Sequence, residues 1–202
     1  MYAIAAAYQE HRRSFDACME EIRIWNDFIS EEERQHLLAW GLRMRPHLKA
    51  NHAHRQFRQT DALPELPQLY TEVRLRLERL LGLGGAEREP LFGWYLSLID
   101  QGGAVHSHLD PTRPGRRHLR CNLFLQVPGS GGMPIVEGRV QQVRNGDLLA
   151  FFPSERRHCS ETVEDGRVRA ICSFGYLTPV RYRLPSAGAT VPATQRVLVS
   201  DC

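Results

Sequence analysis

Three side chains that can bind a metal ion alternate within the segment GGAVHSHLDP, residues 102–111. They are His106, His108 and Asp110. Successive side chains of an extended strand point to opposite faces, so these three would share one face. Neutral imidazole and carboxylate groups are ordinary ligands of divalent transition metals. The segment therefore indicates a metal site, but its spacing does not choose among the three residues.

A further histidine, His158, follows the apolar run LLAFF and a proline-containing loop. A histidine, a carboxylate two residues later and a distant second histidine form the ligand set that holds Fe(II) on one side of an octahedron. Two neutral ligands and one carboxylate leave the ion a residual positive charge and three open positions. The pattern predicts an iron that accepts an anionic co-substrate and dioxygen.

An arginine at the start of the run RAICSFGYL completes this pattern. Arg169 shares strand parity with Ile171 and Ser173 in a largely apolar segment. A buried arginine is expensive unless it meets a carboxylate, which its planar guanidinium can bind with two parallel hydrogen bonds. We expect Arg169 to bind the carboxylate of a co-substrate. Arg167 has the same parity and remains the alternative.

These residues belong to a region of short apolar runs separated by glycine and proline. From residue 91 onward the runs are LFGWYLSLI, AVHSHLD, RHLRCNLFLQV, GRVQQV, DLLAFF and VRAICSFGYL. Six or more short strands with tight connections are typical of an antiparallel sandwich or jelly roll. In the third run one face is apolar, and the other face carries His118, Arg120, Asn122, Phe124 and Gln126. We expect the apolar face to pack under helices. The second face would then line the interior of a barrel or, as the alternative, face solvent.

The first 90 residues are expected to be mainly helical. ISEEERQHLLAWGLRM begins with Ser30 and Glu33 at the spacing of a capping box. PQLYTEVRLRLERLLGLG has an apolar stripe at four-residue spacing and can end at Gly82 or Gly84. The segment between them, PHLKANHAHRQFRQTD, has neither helix nor strand periodicity.

Together these elements predict an α+β, mainly β fold. It is a double-stranded β-helix (jelly roll, cupin-like) core with an N-terminal helical layer packed on one sheet. We expect one domain over residues 1–202, with helical support in 1–90, the jelly-roll core in 91–178 and a C-terminal tail in 179–202.

Composition places the chain among cytoplasmic, soluble proteins. Its formal net charge is only +3, and its five cysteines form no CxxC pair, which favours free thiols in a reducing compartment. The first residues lack the basic start and apolar run of a signal peptide, and no stretch is long enough to span a membrane. We expect neither a membrane nor a nucleic acid as partner; oligomeric state is not predictable.

Several segments resemble the Fe(II)/2-oxoglutarate-dependent oxygenases, and within them the small prolyl-hydroxylase-like branch. They are WNDFISEEE, HSHLDP, RRHLRCNLFLQVPGSGG, HCSETV and GRVRAICSFGYL. The resemblance covers most of residues 24–178. It implies iron bound by His108, Asp110 and His158, and 2-oxoglutarate bound by Arg169. Asn122, on the inward face by strand parity, is a candidate to assist at a carboxylate.

The same resemblance bears on reaction and substrate. Halogenating relatives lack the metal-binding carboxylate, so Asp110 implies hydroxylation or another oxidation. Nucleic-acid dealkylating relatives carry a second arginine where this chain has Gly175. The segment PTRPGRRHLR follows the metal motif and supplies Arg116, Arg117 and Arg120 as candidates for binding a substrate carboxylate. We expect an amino-acid, peptidyl or related small-molecule substrate.

Two other interpretations remain open from the residues. A cupin-type metal enzyme that does not use 2-oxoglutarate would bind its metal through His106, His108 and His158. The glutamate that such enzymes carry a few residues later is missing, since Thr112 and Arg113 occupy those positions. A non-catalytic jelly-roll binding module would use its histidines structurally.

Overall fold

The computed structural model describes residues 21–51 and 54–186. Two α-helices, α1 and α2, cover Glu31–Arg43 and Gln68–Leu81. Short 3-10 turns cover Arg45–His47 and Thr60–Ala62. The strands β1 to β11 are, in order, Arg23–Trp25, Lys49–Ala50, Arg55–Gln59, Glu87–Arg88, Trp94–Ile99, Arg116–Gln126, Pro134–Val136, Arg139–Val140, Leu148–Phe151, His158–Ser160 and Arg169–Pro179.

The helix boundaries follow from local chemistry. The hydroxyl of Ser30 accepts a hydrogen bond from the backbone N–H of Glu33, and the Glu33 carboxylate accepts one from the Ser30 N–H. The predicted capping box is therefore confirmed. Helix α2 ends at Gly82, whose φ of 63° is the left-handed conformation that glycine adopts without strain.

Two antiparallel sheets form the double-stranded β-helix. The larger has the order β1-β9-β6-β11-β5-β3-β2, with β4 paired to β11, and the smaller has the order β10-β7-β8. Strands β6 and β11 are each 11 residues long and lie side by side at the centre of the larger sheet. The predicted fold class is confirmed.

The two faces of β6 separate two cores, as its alternation predicts. Leu119, Cys121, Leu123 and Leu125 pack against the helices, whose Leu37, Trp40 and Leu77 are fully buried in the same cluster. On the opposite face Phe124 joins a smaller cluster with Leu149, Phe151 and Ile171 between the sheets. The helical layer thus braces the sheet whose inner face carries the polar side chains.

Two parts of the structure differ from the sequence-based expectation. The first is the N-terminal region, expected to be mainly helical, whose described residues also contribute strands β1 to β4 to the larger sheet. The segment without periodicity contains strand β3, which pairs with β5 at the side of the larger sheet. Strand β3 has polar residues on both faces, so its sequence lacks the apolar–polar alternation that predicts a strand. Its hydrogen bonds to β5 hold it in the extended conformation.

The second difference concerns AVHSHLD, which is not a continuous strand. Its backbone bonds to β10 at Val105–Ser160 and again at His108–His158. The two bonded positions are three residues apart on this segment but only two apart on β10. The extra residue interrupts the ladder like a β-bulge, so the side chains of His106 and His108 do not follow the regular alternation of a strand.

Some expectations fall beyond the described residues. The N-terminal start, Cys18, Cys202 and residues 187–202 of the predicted tail are among them. Within the described part of the chain, no helix is both long enough and apolar enough to cross a membrane.

Candidate metal centre

Backbone hydrogen bonds bring the two distant histidines together. The N–H of His108 donates to the carbonyl of His158, and the N–H of His158 donates to the carbonyl of His108, both at 3.0 Å. The N–H of Asp110 donates to the Pro153 carbonyl in the loop before β10, also at 3.0 Å. The segment carrying His108 and Asp110 is therefore fixed against the segment carrying His158 by the fold itself.

The two imidazole rings are oriented in the same way. Nδ1 of His108 lies 2.7 Å from the carbonyl oxygen of His106, and Nδ1 of His158 lies 3.0 Å from that of Arg156. A carbonyl only accepts hydrogen bonds, so each Nδ1 carries a proton, and each Nε2 is the ring nitrogen left to bind a metal. This is the arrangement by which proteins prepare histidines for metal binding.

The free ring nitrogens converge on the Asp110 carboxylate. Its Oδ1 lies 3.3 Å from Nε2 of His108 and 4.0 Å from Nε2 of His158. One ligand atom from each of the three residues lies within 4.8 Å of the others. Adjacent ligands on an octahedral ion with bonds of about 2.1 Å lie about 3 Å apart, so the three groups fit a single ion after small side-chain adjustments.

The other oxygen of Asp110 faces basic side chains. Oδ2 lies 3.5 Å from Nδ1 of His118 and 3.8 Å from Nη2 of Arg120. Arg120 is held by a 2.8 Å hydrogen bond to the Gly93 carbonyl and lies 3.6 Å from the Glu89 carboxylate. Oδ1 therefore faces His108 and His158, while Oδ2 faces His118 and Arg120.

Burial and charge set the protonation of these groups. Burial raises the pKa of Asp110, but the His108 contact and the Arg120 charge outweigh it and hold that pKa at about 2. Burial lowers the pKa of His158 to about 4 and, with the Arg120 charge, that of His118 to about 3. Near neutral pH Asp110 is an anion and His158 and His118 are neutral, whereas the hydrogen bond to Asp110 raises the pKa of His108. A bound cation would replace the His108 proton beside Asp110, because a histidine ligand must be deprotonated.

A cavity of about 350 Å³ opens beside the three residues. Polar residues from several strands line it and are listed here together: Asn51, Arg55, Tyr95, Ser97, His106, Arg120, Asn122 and Arg169. Its apolar walls include Phe57, Val136, Phe151 and Ile171. His106 lies on the cavity wall but outside the group of three ligand atoms.

Arg169 and its rival Arg167 have opposite surroundings. Arg169 is only 3% exposed, and its Nε and Nη1 atoms have no hydrogen-bond partner within the described residues. Burial, and to a lesser extent the nearby charge of Arg55, lower its pKa to about 10, so it stays a cation at neutral pH. Arg167 is exposed and pairs with Asp165. An unpaired buried cation in a cavity suits a carboxylate, which would neutralise its charge and accept hydrogen bonds from its N–H groups.

Asn122 and Tyr95 also face the cavity. The Asn122 side-chain oxygen accepts a 2.7 Å hydrogen bond from the Ser173 hydroxyl, so its amide NH₂ group remains available to a ligand. Tyr95 pairs with Ser173 across the sheet. Both residues lie on the face of the sheet that also carries Arg120, which fits a supporting role at a carboxylate.

The three arginines proposed from sequence for substrate binding separate in the structure. Arg120 lines the cavity, whereas Arg116 is exposed and Arg117 lies on the other face of β6. Arg117 donates to Glu155, to Glu21 and to the Tyr182 carbonyl, and it stacks on Phe152. The structure places Arg116 and Arg117 outside the cavity, and strand parity could have shown that Arg117 and Arg120 face opposite ways.

Sequence reasoning missed two groups near the site. Arg55 enters the cavity from β3, a strand without a detectable periodic signal. Glu89 is buried before β5 and accepts hydrogen bonds from the backbone N–H groups of residues 91–93. Its role as partner of Arg120 depends on a contact between distant segments, which no local pattern reveals.

Comparison with known proteins identifies structures of the same fold. A Pseudomonas putida prolyl-4-hydroxylase is 19% identical, with a TM-score of 0.60 and coverage of 81% of this chain and 95% of that one. HygX from Streptomyces hygroscopicus, solved with nickel, 2-oxoglutarate and hygromycin B bound, is 15% identical, with a TM-score of 0.60 and coverage of 88% and 89%.

A Trichoplax adhaerens prolyl hydroxylase, solved with a peptide fragment of the hypoxia inducible factor, is 13% identical. Its TM-score is 0.60, and the match covers 86% of this chain and 92% of that one. No protein-family model and no curated protein matches this sequence. At these identities the likeness establishes the fold, which these proteins share with 2-oxoglutarate-dependent oxygenases of several activities.

Proposed function

We propose that this protein is an Fe(II)- and 2-oxoglutarate-dependent dioxygenase. It hydroxylates an unactivated C–H bond of an amino-acid, peptidyl or related small-molecule substrate. The observation that carries the proposal is a single cavity lined by two features. One is the ligand group of His108, Asp110 and His158, and the other is the unpaired guanidinium of Arg169. The fold shared with prolyl hydroxylases and HygX supports it.

The residues divide the work between metal and co-substrate. His108, Asp110 and His158 would hold iron, and Arg169 would bind the distal carboxylate of 2-oxoglutarate with Asn122 nearby. Bound iron supplies the chemistry in which 2-oxoglutarate and dioxygen yield succinate and carbon dioxide, and one oxygen atom enters the substrate C–H bond. The protein orients the three ligands, neutralises the carboxylate and excludes water with Phe151, Val136 and Ile171.

The proposed substrate class is supported by the ligands bound to two proteins of the same fold. A peptide fragment is bound to the Trichoplax adhaerens enzyme, and hygromycin B is bound to HygX. The described cysteines Cys121, Cys159 and Cys172 are free, which agrees with the cytoplasmic location that we expect. Binding of a nucleic acid is not part of the proposal.

The proposal predicts different consequences for Asp110 and His106. We expect the protein to give a visible metal-to-ligand charge-transfer band when Fe(II) and 2-oxoglutarate are added without oxygen, because the co-substrate would chelate the metal. Asp110→Ala should abolish the band, since it removes a ligand. His106→Ala should keep it, because His106 lies outside the ligand group.

Each outcome of this experiment selects one interpretation. Absence of any 2-oxoglutarate-dependent band in the native protein would reject the oxygenase. Loss of iron in His106→Ala with retention in Asp110→Ala would identify a cupin-type enzyme instead. A positive result should be followed by measurement of succinate formation against pools of amino acids, peptides and cell-extract metabolites.

A further inference from the structure

A second unpaired arginine lies in the same cross-strand row as Arg169. Arg55 on β3 and Arg169 on β11 both pair with Ile99 of β5, from opposite sides. Residues directly opposite each other in antiparallel strands project to the same face of the sheet, and both arginines line the cavity. Two strand spacings of about 4.8 Å separate their backbones, so they are neighbouring but distinct groups.

The contacts of Arg55 hold its guanidinium without neutralising it. Its Nε–H donates to the Ser97 hydroxyl at 3.2 Å, and its Cζ lies 4.9 Å from the centre of the Phe57 ring and 5.8 Å from that of Tyr95. Across the described residues, no carboxylate forms an ion pair with it. A half-buried arginine with fixed stem and free terminal N–H groups is prepared to bind an oxyanion.

The charges of the loaded cavity leave Arg55 without a counter-charge. The two positive charges of Fe(II) and the one on Arg169 balance Asp110 and the two carboxylates of 2-oxoglutarate. Arg120 already faces Glu89 as well as Asp110. The Arg55 charge is also close enough to lower the pKa of Arg169, after the larger effect of burial. One positive charge therefore remains on the wall of the cavity.

We propose that Arg55 binds an oxyanion of the substrate, a carboxylate or a phosphate, so that this enzyme oxidises anionic molecules. The proposal rests on the proposed function, and it moves the anion site from Arg116 and Arg117 to Arg55. The group that binds Arg55 belongs to the molecule being oxidised and not to 2-oxoglutarate.

The test compares a carboxylate with its neutral amide. Protein loaded with nickel(II), the ion in the HygX structure, and with 2-oxoglutarate is titrated with N-acetylglycine, N-acetylglycinamide and inorganic phosphate, and binding is followed by ligand NMR. We expect N-acetylglycine or phosphate to bind at least about tenfold more tightly than the amide, as for one charge-assisted hydrogen bond. Arg55→Gln should abolish this preference and Arg55→Lys should keep part of it.

Controls separate this inference from the proposed function. Arg116→Gln, an exposed arginine outside the cavity, should leave all affinities unchanged, and thermal unfolding should show that every variant is folded. If native nickel-loaded protein does not bind 2-oxoglutarate, the proposed function itself fails.

If 2-oxoglutarate binds but Arg55→Gln weakens it as much as Arg169→Gln does, Arg55 serves the co-substrate and the inference is wrong. If neither anion is preferred over the amide, the inference is also wrong. Preference for phosphate alone or for the carboxylate alone supports it and identifies the group.

Discussion

At the residue scale, Arg169 and Arg167 offer a matched pair for testing co-substrate binding. Charge-assisted hydrogen bonds contribute about 1.5–3 kcal/mol. Arg169→Gln should therefore raise the Kd for 2-oxoglutarate roughly 10- to 150-fold in calorimetric titrations of nickel-loaded protein. Arg167→Gln should change it little, because that side chain is exposed and paired with Asp165. Equal effects of both variants would contradict the assignment.

The same residues show how far sequence alone reaches. The types and order of His108, Asp110, His158 and Arg169 indicated a metal site and a carboxylate partner, and the family resemblance chose among the ligands. The structure brings these residues to one cavity, and their binding of a metal and a carboxylate stays a prediction. The orientation of the rings was not predictable, since it depends on the carbonyls of His106 and Arg156. The residues that determine such geometry carry no side-chain signal.

At the element scale, strand β11 must pass beside a buried arginine, and this explains Gly175. A Cβ at this position would lie 2.7 Å from Nη1 of Arg120 and 2.9 Å from the Gly93 carbonyl oxygen. Both distances are shorter than van der Waals contact. A side chain at position 175 is thus incompatible with Arg120 in its present place, beside Asp110.

Gly175→Ala should accordingly destabilise the fold. Overpacking of a filled site costs about 1–3 kcal/mol, and here it would also displace Arg120 from the Gly93 carbonyl. Urea denaturation of the metal-free protein measures the free energy of unfolding. Gly166→Ala is the control, since nothing lies within 4 Å of its added Cβ, and it should stay within about 0.5 kcal/mol of native. Equal stability of both variants would show that Arg120 is free to move.

Elements with strong periodicity were predictable, and elements fixed by distant partners were not. The capping box of α1, the end of α2 at Gly82 and the two faces of β6 all follow from local sequence. Strand β3 has polar residues on both faces, so only its pairing with β5 orders it. The interrupted ladder beside His108 likewise reflects the register of β10 and not a local preference.

At the scale of the whole molecule, a polar chain of contacts connects the helices to the sheet that carries the site. Glu33 caps α1 and also binds Arg76 of α2 through both carboxylate oxygens. The neighbouring Arg34 donates to the Leu125 carbonyl on β6. The helical layer is therefore fixed to the sheet by directional bonds as well as by apolar packing.

This connection should make stability depend on pH. The hydrogen bond from Arg76 lowers the pKa of Glu33 below its ordinary value, against the opposing effect of burial. A carboxyl whose pKa is lowered by folding stabilises the native state above its unfolded pKa, and that contribution is lost as the pH falls through the folded pKa. Glu33 should thus stabilise the protein at neutral pH and cease to do so in acid.

Arg76→Gln tests this dependence. Because both side chains are still partly exposed, with 15% and 22% of their surface accessible, we expect a loss of roughly 1 kcal/mol at neutral pH. The difference from native should shrink when urea denaturation is repeated at about pH 3.5, below the ordinary glutamate pKa of about 4.3, because Glu33 is then largely protonated in the unfolded chain and its contribution to native stability has begun to fall. Arg43→Gln breaks an exposed pair with Glu65 and should have little effect at either pH. A difference between native and Arg76→Gln that is the same at both pH values would mean that Arg76 acts through its contact with the Phe28 carbonyl and not through Glu33.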